Sequence, residues 1–152
     1  MSRVAYVNGQ YVPHAEAQIH IEDRGYQFAD GVYEVAAIFR GRIIDEDGHL
    51  VRLKRSLDEL QMPMPMPDGP FAAVCRETLR RNRVRDGIIY IQVSRGVSRR
   101  DHPFPENVRP ALVMTARAVN WPVNADEDSG AEVVSVADIR WLRRDVKSIS
   151  LL

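Results

Sequence analysis

The stretch EDRGYQFADGVYEVAAIF (residues 22–39) changes character at Gly31. Before it the chain is polar and punctuated by Gly25; after it a largely apolar run extends from Val32 to Phe39. That run is read as a β-strand with a glycine-marked entry. The GRII that follows can pair back on it as a hairpin partner. Upstream, VAYVNGQYV sets Asn8-Gly9 between two short β-prone runs, the strongest local signal for a tight hairpin.

Downstream the period changes. Leu50, Leu53, Leu57 and Leu60 recur at three- and four-residue spacing, so HLVRLKRSLDEL predicts an amphipathic helix. The prolines of QMPMPMPDGP end it, because each removes a backbone donor and disfavours helix at the residue before. A second helix is expected with Phe71, Val74, Cys75, Thr78 and Leu79 on one face, trailing into the basic RRNRVRDG. IIYIQVSRG, PALVMTARAV and AEVVSVADIRWL are rich in β-branched or aromatic residues and are read as strands. Between them lie the polar loop SRRDHPFPENV and the acidic connector NADEDSG. Strands around a pair of helices define an α+β fold with a mainly antiparallel sheet.

Composition narrows the function classes. The chain has 152 residues, the size of one ordinary domain, with 45% hydrophobic and 28% charged residues, which is globular rather than disordered. Acids and bases balance at 21 each, which argues against a nucleic-acid partner; the basic LRRNRVR alone supports one. One cysteine, Cys75, allows neither a disulfide framework nor a thiolate metal site, and His14, His20, His49 and His102 are too scattered for a metal cluster. No apolar run approaches the roughly 18 residues of a membrane span, and the N-terminus has no apolar leader, so a soluble cytoplasmic protein with no membrane partner is expected.

Positive charge is distributed unevenly between residue types. There are nineteen arginines and only two lysines, Lys54 and Lys147. Arginine keeps its proton, whereas a lysine amine can lose it and attack a carbonyl. Lys54 lies among Arg52, Arg55 and Asp58 on the polar side of the first long helix and reads as a surface residue. Lys147 follows the apolar VVSVADIRWL and is flanked by Val146 and Ile149; partial burial and nearby Arg143 and Arg144 would destabilise its ammonium. It is therefore a candidate Schiff-base lysine, against the alternative of a surface lysine near a chain end. Arg99, Arg100 and His102 sit in a proline-stiffened loop, where guanidinium and imidazole can grip a carboxylate or simply be solvated. Tyr33 can offer a hydroxyl to a substrate or a ring to the core. Arg52 can turn inward to neutralise a phosphate or remain an exposed helical arginine. No phosphate-loop or dinucleotide glycine fingerprint is present.

Together, EDRGYQFADGVYEV, HLVRLKRSL, VSRGVSRRDHPFPEN and DIRWLRRDVKSISLL, in this order and spacing, resemble the D-amino-acid aminotransferases of the fold-type IV pyridoxal-phosphate class. The resemblance runs from the first hairpin to the last residue, close in these four segments and loose in the helices and connectors. It implies transamination between a D-amino acid and a 2-oxo acid, with pyridoxal 5'-phosphate as cofactor and a homodimer as the working form. Lys147 would carry the Schiff base and shuttle the substrate proton. Arg52 would bind the cofactor phosphate, and Arg140 would lie near the cofactor ring without being its main anchor. Tyr33, Arg100 and His102 would hold the substrate carboxylate, the last two reaching in from the neighbouring subunit. The family motif separates arginine and histidine by one residue, so the resemblance assigns Arg100 rather than Arg99 to that role. The same superfamily also holds branched-chain L-amino-acid aminotransferases, aminodeoxychorismate lyases and (R)-selective amine transaminases. Relatives continue well past the lysine into a second domain that supplies the pyridine-nitrogen partner. Residues 1–120 are therefore expected to form the small N-terminal domain, and 121–152 the connector and the start of the cofactor-binding domain of a longer enzyme. The alternative from a different class is a non-catalytic dimerisation or binding domain.

Overall fold

The computed structural model describes residues 3–121, 132–138 and 142–150. One six-stranded sheet organises the chain, in the order β2-β1-β6-β5-β3-β4 with every pairing antiparallel. The strands are β1 (Val4–Val7), β2 (Gln10–Pro13), β3 (Gly31–Phe39), β4 (Arg42–Ile43), β5 (Gly87–Ser94) and β6 (Ala111–Ala118). Asn8 and Gly9 turn β1 into β2 with φ of 46° and 98°, the pair of positive values a tight hairpin of matching twist requires. Two long helices, α2 (Glu46–Glu59) and α3 (Asp68–Asn82), pack on one face. The expected α+β class, antiparallel sheet and both long helices are all present.

Alternation along the strands selects that face. In β3, Val32, Glu34, Ala36 and Ile38 are buried, while Tyr33, Val35, Ala37 and Phe39 lie on the other side. Val32, Ala36 and Ile38, with Ile89, Ile91 and Val93 of β5 and Leu112, Met114 and Ala116 of β6, meet Leu53 and Leu57 of α2 and Phe71, Cys75 and Leu79 of α3. Each fully buried Leu, Ile or Phe stabilises the fold by about 1.5–3 kcal/mol. Burial pushes the Cys75 thiol up to about 12, so it behaves as a small core hydrophobe.

The structure adds one element and corrects one expectation. Residues 24–28 within the opening stretch are a short helix, α1 (Arg24–Phe28), capped by the Asp23 carboxylate on the Gly25 amide at 2.8 Å. Five residues are too few to show a helical period, so this helix leaves no signal in the sequence. Residues 132–138, part of a run expected as strand, carry no strand in the described residues, and Val133, Val134 and Val136 are exposed. Their β-propensity reports a surface that fits a pleated neighbour, and none is described beside them.

Candidate active site at the edge of strand β3

On the side of β3 away from β5, pairing is partial. β4 covers only Ile38 and Phe39, and residues around Lys147 cover only the first three positions. The Tyr33 amide donates to Lys147 O at 3.0 Å, the Ile149 amide donates to Gly31 O at 3.0 Å, and Val32 bridges Ser148. Among the described residues no strand pairs with β3 between these two patches, which leaves a notch in the sheet edge around Glu34 and Val35.

The segment carrying Lys147 is fastened to α2 as well. Asp145 takes the Arg55 guanidinium at 2.6 Å, Glu59 takes Arg143 at 2.6 Å, and the Lys147 amide donates to Ser56 Oγ at 3.1 Å. Val146 is buried between these contacts. The Lys147 side chain therefore leaves a fixed backbone. Its Nζ stands 4.1 Å from the centroid of the Tyr33 ring, a cation–π distance, and has no hydrogen bond or ion pair among the described residues. Tyr33 in turn stacks on Tyr90 with centroids 5.9 Å apart. Lys54 is the contrast: its amine pairs with Asp68 at 2.6 Å on the surface. Arg143 and Arg144, expected to press on Lys147, are each paired with carboxylates, on Glu59, Asp145 and Asp138.

On the helix side of the notch, Arg52 sits one turn before Ser56 on α2. Its Nε and one Nη nitrogen form a fork on Glu34 at 2.7 and 2.6 Å, and His49 Nδ1 meets the same carboxylate at 2.7 Å. Glu34 is 1% exposed, whereas Arg52 is 48% exposed. Burial alone would raise the Glu34 carboxyl; hydrogen bonds from Arg52 and His49 outweigh it and hold the carboxyl below its ordinary range. The Nη1 of Arg52 makes no hydrogen bond among the described residues and remains available to an anion.

The structure brings Lys147 to Tyr33, and Arg52 to the residue next in sequence. It does not bring Arg100 and His102 to Tyr33 within one chain. Both are exposed, and both rest on Phe28 of α1, the Arg100 guanidinium 4.9 Å and the His102 ring 6.1 Å from its centroid. His102 also lines an open cavity of about 390 Å³ with Ser148, the residue after Lys147. Arg140 lies outside the described residues. Glu34 and His49 were missed as site residues by sequence reasoning. The available signal was register: an acid sharing a face with Val32, Ala36 and Ile38 must be paired to be buried. Arg80 and Arg81 of the basic run are paired with Glu77, and Arg81 also covers the Tyr11 ring at 4.2 Å. Among the described residues, no group of three or more His, Cys, Asp or Glu is arranged to hold a metal, and no helix is long and apolar enough to cross a membrane.

A notch with one unpaired lysine amine, an aromatic floor and an anchored arginine suits a cofactor that carries an aldehyde and a phosphate. The chain belongs to the class IV amino-transferase family, whose pattern it matches over residues 31–152. It is 38% identical over 148 residues to a D-alanine aminotransferase of Staphylococcus haemolyticus, covering 97% of this chain and 52% of that protein. A D-alanine aminotransferase of Bacillus licheniformis is 34% identical over 145 residues, covering 95% of this chain and 51% of that protein. The chain thus spans about half the length of the curated relatives it matches. Its fold is that of the branched-chain amino acid aminotransferase from Escherichia coli, with a TM-score of 0.72 at 16% identity over 78% of this chain and 42% of that one. The branched-chain aminotransferase of the archaeon Thermoproteus uzoniensis, solved with norvaline, is also similar, with a TM-score of 0.64 at 19% identity over 79% of this chain and 42% of that one.

Proposed function

We propose that the chain is the N-terminal part of a pyridoxal-phosphate-dependent aminotransferase that exchanges the amino group between a D-amino acid, such as D-alanine, and a 2-oxo acid. In this reading residues 1–120 are the small domain, and 121–152 are the connector and the start of a cofactor-binding domain. The working protein is a soluble cytoplasmic homodimer. The observation that carries the reading is the Lys147 amine, held on a doubly anchored backbone beside Tyr33 with no counter-ion among the described residues.

Each residue of the notch has a task. Lys147 would hold the cofactor through its amine and would carry the proton taken from the substrate Cα. Bound pyridoxal phosphate supplies the electron sink for the pair left at Cα. Arg52, oriented by Glu34 and His49, donates to the phosphate through its open Nη1. Tyr33 orients the substrate carboxylate together with Arg100 and His102 of a second copy, whose exposed loop matches that demand. The resemblance assigns Arg140, which lies outside the described residues, to the neighbourhood of the cofactor ring. The Arg100–His102 pair provides a dedicated carboxylate site, which favours a D-amino acid over a substrate without a carboxylate.

Borohydride treatment of the pyridoxal-phosphate-loaded enzyme followed by peptide mapping tests the reading. The reduced adduct is expected on Lys147, and Lys147→Ala is expected to lose it together with a rate factor on the order of 10³ or more. An adduct on Lys54, or D-alanine turnover surviving Lys147→Ala, would discard it.

A further inference from the structure

A cluster outside the notch bears on how the carboxylate-binding loop keeps its shape. Arg24 of α1 is 4% exposed and Arg95, just past β5, is 7% exposed. Both guanidiniums converge on Asp30, the residue before β3: Arg24 Nε at 2.8 Å, Arg95 Nε at 2.7 Å and an Nη nitrogen of Arg95 at 3.0 Å. Arg95 also donates to Leu60 O at 2.7 Å and Gln61 O at 3.2 Å, at the end of α2. Arg24 has one further donor in use. Its Nη1 reaches Asp101 O at 2.7 Å, a contact spanning 77 residues of chain.

That acceptor lies between Arg100 and His102. Among the described residues it is the one hydrogen bond from the rest of the molecule onto residues 100–110. Phe28 completes the arrangement, with Arg24 4.7 Å and Arg100 4.9 Å from its centroid and the His102 ring tilted against it. We propose that Arg24 is a positioning residue for substrate-carboxylate recognition: its guanidinium, fixed by Asp30, clamps the Asp101 carbonyl and thereby sets the directions in which Arg100 and His102 leave the loop. The inference rests on the assignment of Arg100 and His102 to carboxylate binding.

A lysine at position 24 keeps the charge for Asp30 but lacks the planar fork that serves Asp30 and Asp101 O together. In the holoenzyme, Arg24→Lys is expected to raise KM for D-alanine about tenfold, the worth of one hydrogen bond to a charged donor. The inhibition constant of propionate, which offers a carboxylate and no amine, should rise in parallel. kcat and the affinity for pyridoxal phosphate should change by less than KM does. In an Arg100→Ala background the same substitution should add little, because its route of action is gone. Arg100→Ala alone separates the two possible failures. An unchanged KM there overturns the carboxylate reading and the inference with it; a raised KM there with an unchanged KM in Arg24→Lys overturns the inference alone. A loss in Arg24→Lys confined to kcat or cofactor affinity also overturns it. Should Arg24→Lys fail to fold, Phe28→Leu removes the ring beneath both guanidiniums and leaves the buried ion pairs intact. It is expected to raise KM several-fold with the same bias toward carboxylate ligands, and an unchanged KM in that variant overturns the proposal.

Discussion

Asp30 and Glu34 stand four residues apart on the same strand and its entry, and both are carboxylates held by arginine, yet they are built in opposite senses. Around Asp30 the partners are the buried members: Arg24 and Arg95 are 5% and 8% exposed at their side chains, Asp30 itself 11%. Around Glu34 the carboxylate is sealed at 1%, and its partners Arg52 and His49 open to solvent. The first cluster places two guanidiniums on one carboxylate and gives further donors to the carbonyls of Leu60, Gln61 and Asp101. It joins three distant segments. The second uses a hidden carboxylate to fix the direction of a cation whose far side is free. One cluster ties segments of the fold together; the other leaves one side of an arginine open.

The largest effect expected from this difference is on stability at Asp30. Asp30→Asn leaves two buried guanidiniums without a counter-charge and turns an amide donor toward one of them. Removing one partner of a buried pair costs about 3–5 kcal/mol, to be read as a lowered urea midpoint at pH 7. The loss depends on pH. Burial raises the Asp30 carboxyl, but hydrogen bonds from Arg95 and Arg24 outweigh it and hold it below the ordinary carboxylate range. A depressed folded value means the stabilisation is complete above the unfolded value near 4 and drains away as pH falls through the folded one. The gap between wild type and Asp30→Asn should therefore stay constant from neutral pH down to the unfolded value near 4 and narrow only below it, as pH falls toward the depressed folded value. A gap that stays constant further into acid would show that the loss comes from shape rather than charge.

How much of this was legible in the sequence follows the range of the interactions. The Asn8-Gly9 hairpin, the leucine period of α2 and the apolar face of α3 are written within a few residues, and each is found. β3 was legible as a strand, but its register was not used, and Glu34 went unnoticed among the apolar positions it shares a face with. α1 is too short for any period to report. Lys147 was singled out by the rarity of lysine and the apolar run before it; what holds it, the pairing of residues 147–149 with Gly31 and Tyr33, spans more than a hundred residues and leaves no local mark. The Arg24–Asp101 contact is equally silent. Arginines at 24 and 95 looked like any of the nineteen until the fold enclosed them.

Glu34→Gln sharpens the comparison from the other side, with a smaller effect on the fold. Glutamine can still accept from Arg52 through one oxygen, and both Arg52 and His49 reach water, so no buried cation is stranded. The expected loss is about 1–3 kcal/mol, that of a weakened charge-assisted contact in a partly open setting. The consequence for ligand binding should be proportionately larger. Half of the fork that orients Arg52 is lost, and a long side chain released from one rotamer recovers about 1–2 kcal/mol of conformational freedom that phosphate binding must then remove. Titration of the cofactor-free enzyme with pyridoxal phosphate should show affinity reduced by roughly tenfold. If Glu34→Gln unfolds as readily as Asp30→Asn, the Glu34 cluster is a second structural knot rather than a support for Arg52. If it binds pyridoxal phosphate with unchanged affinity, the open Nη1 of Arg52 does not meet the phosphate, and the distinction between the two clusters reduces to burial alone.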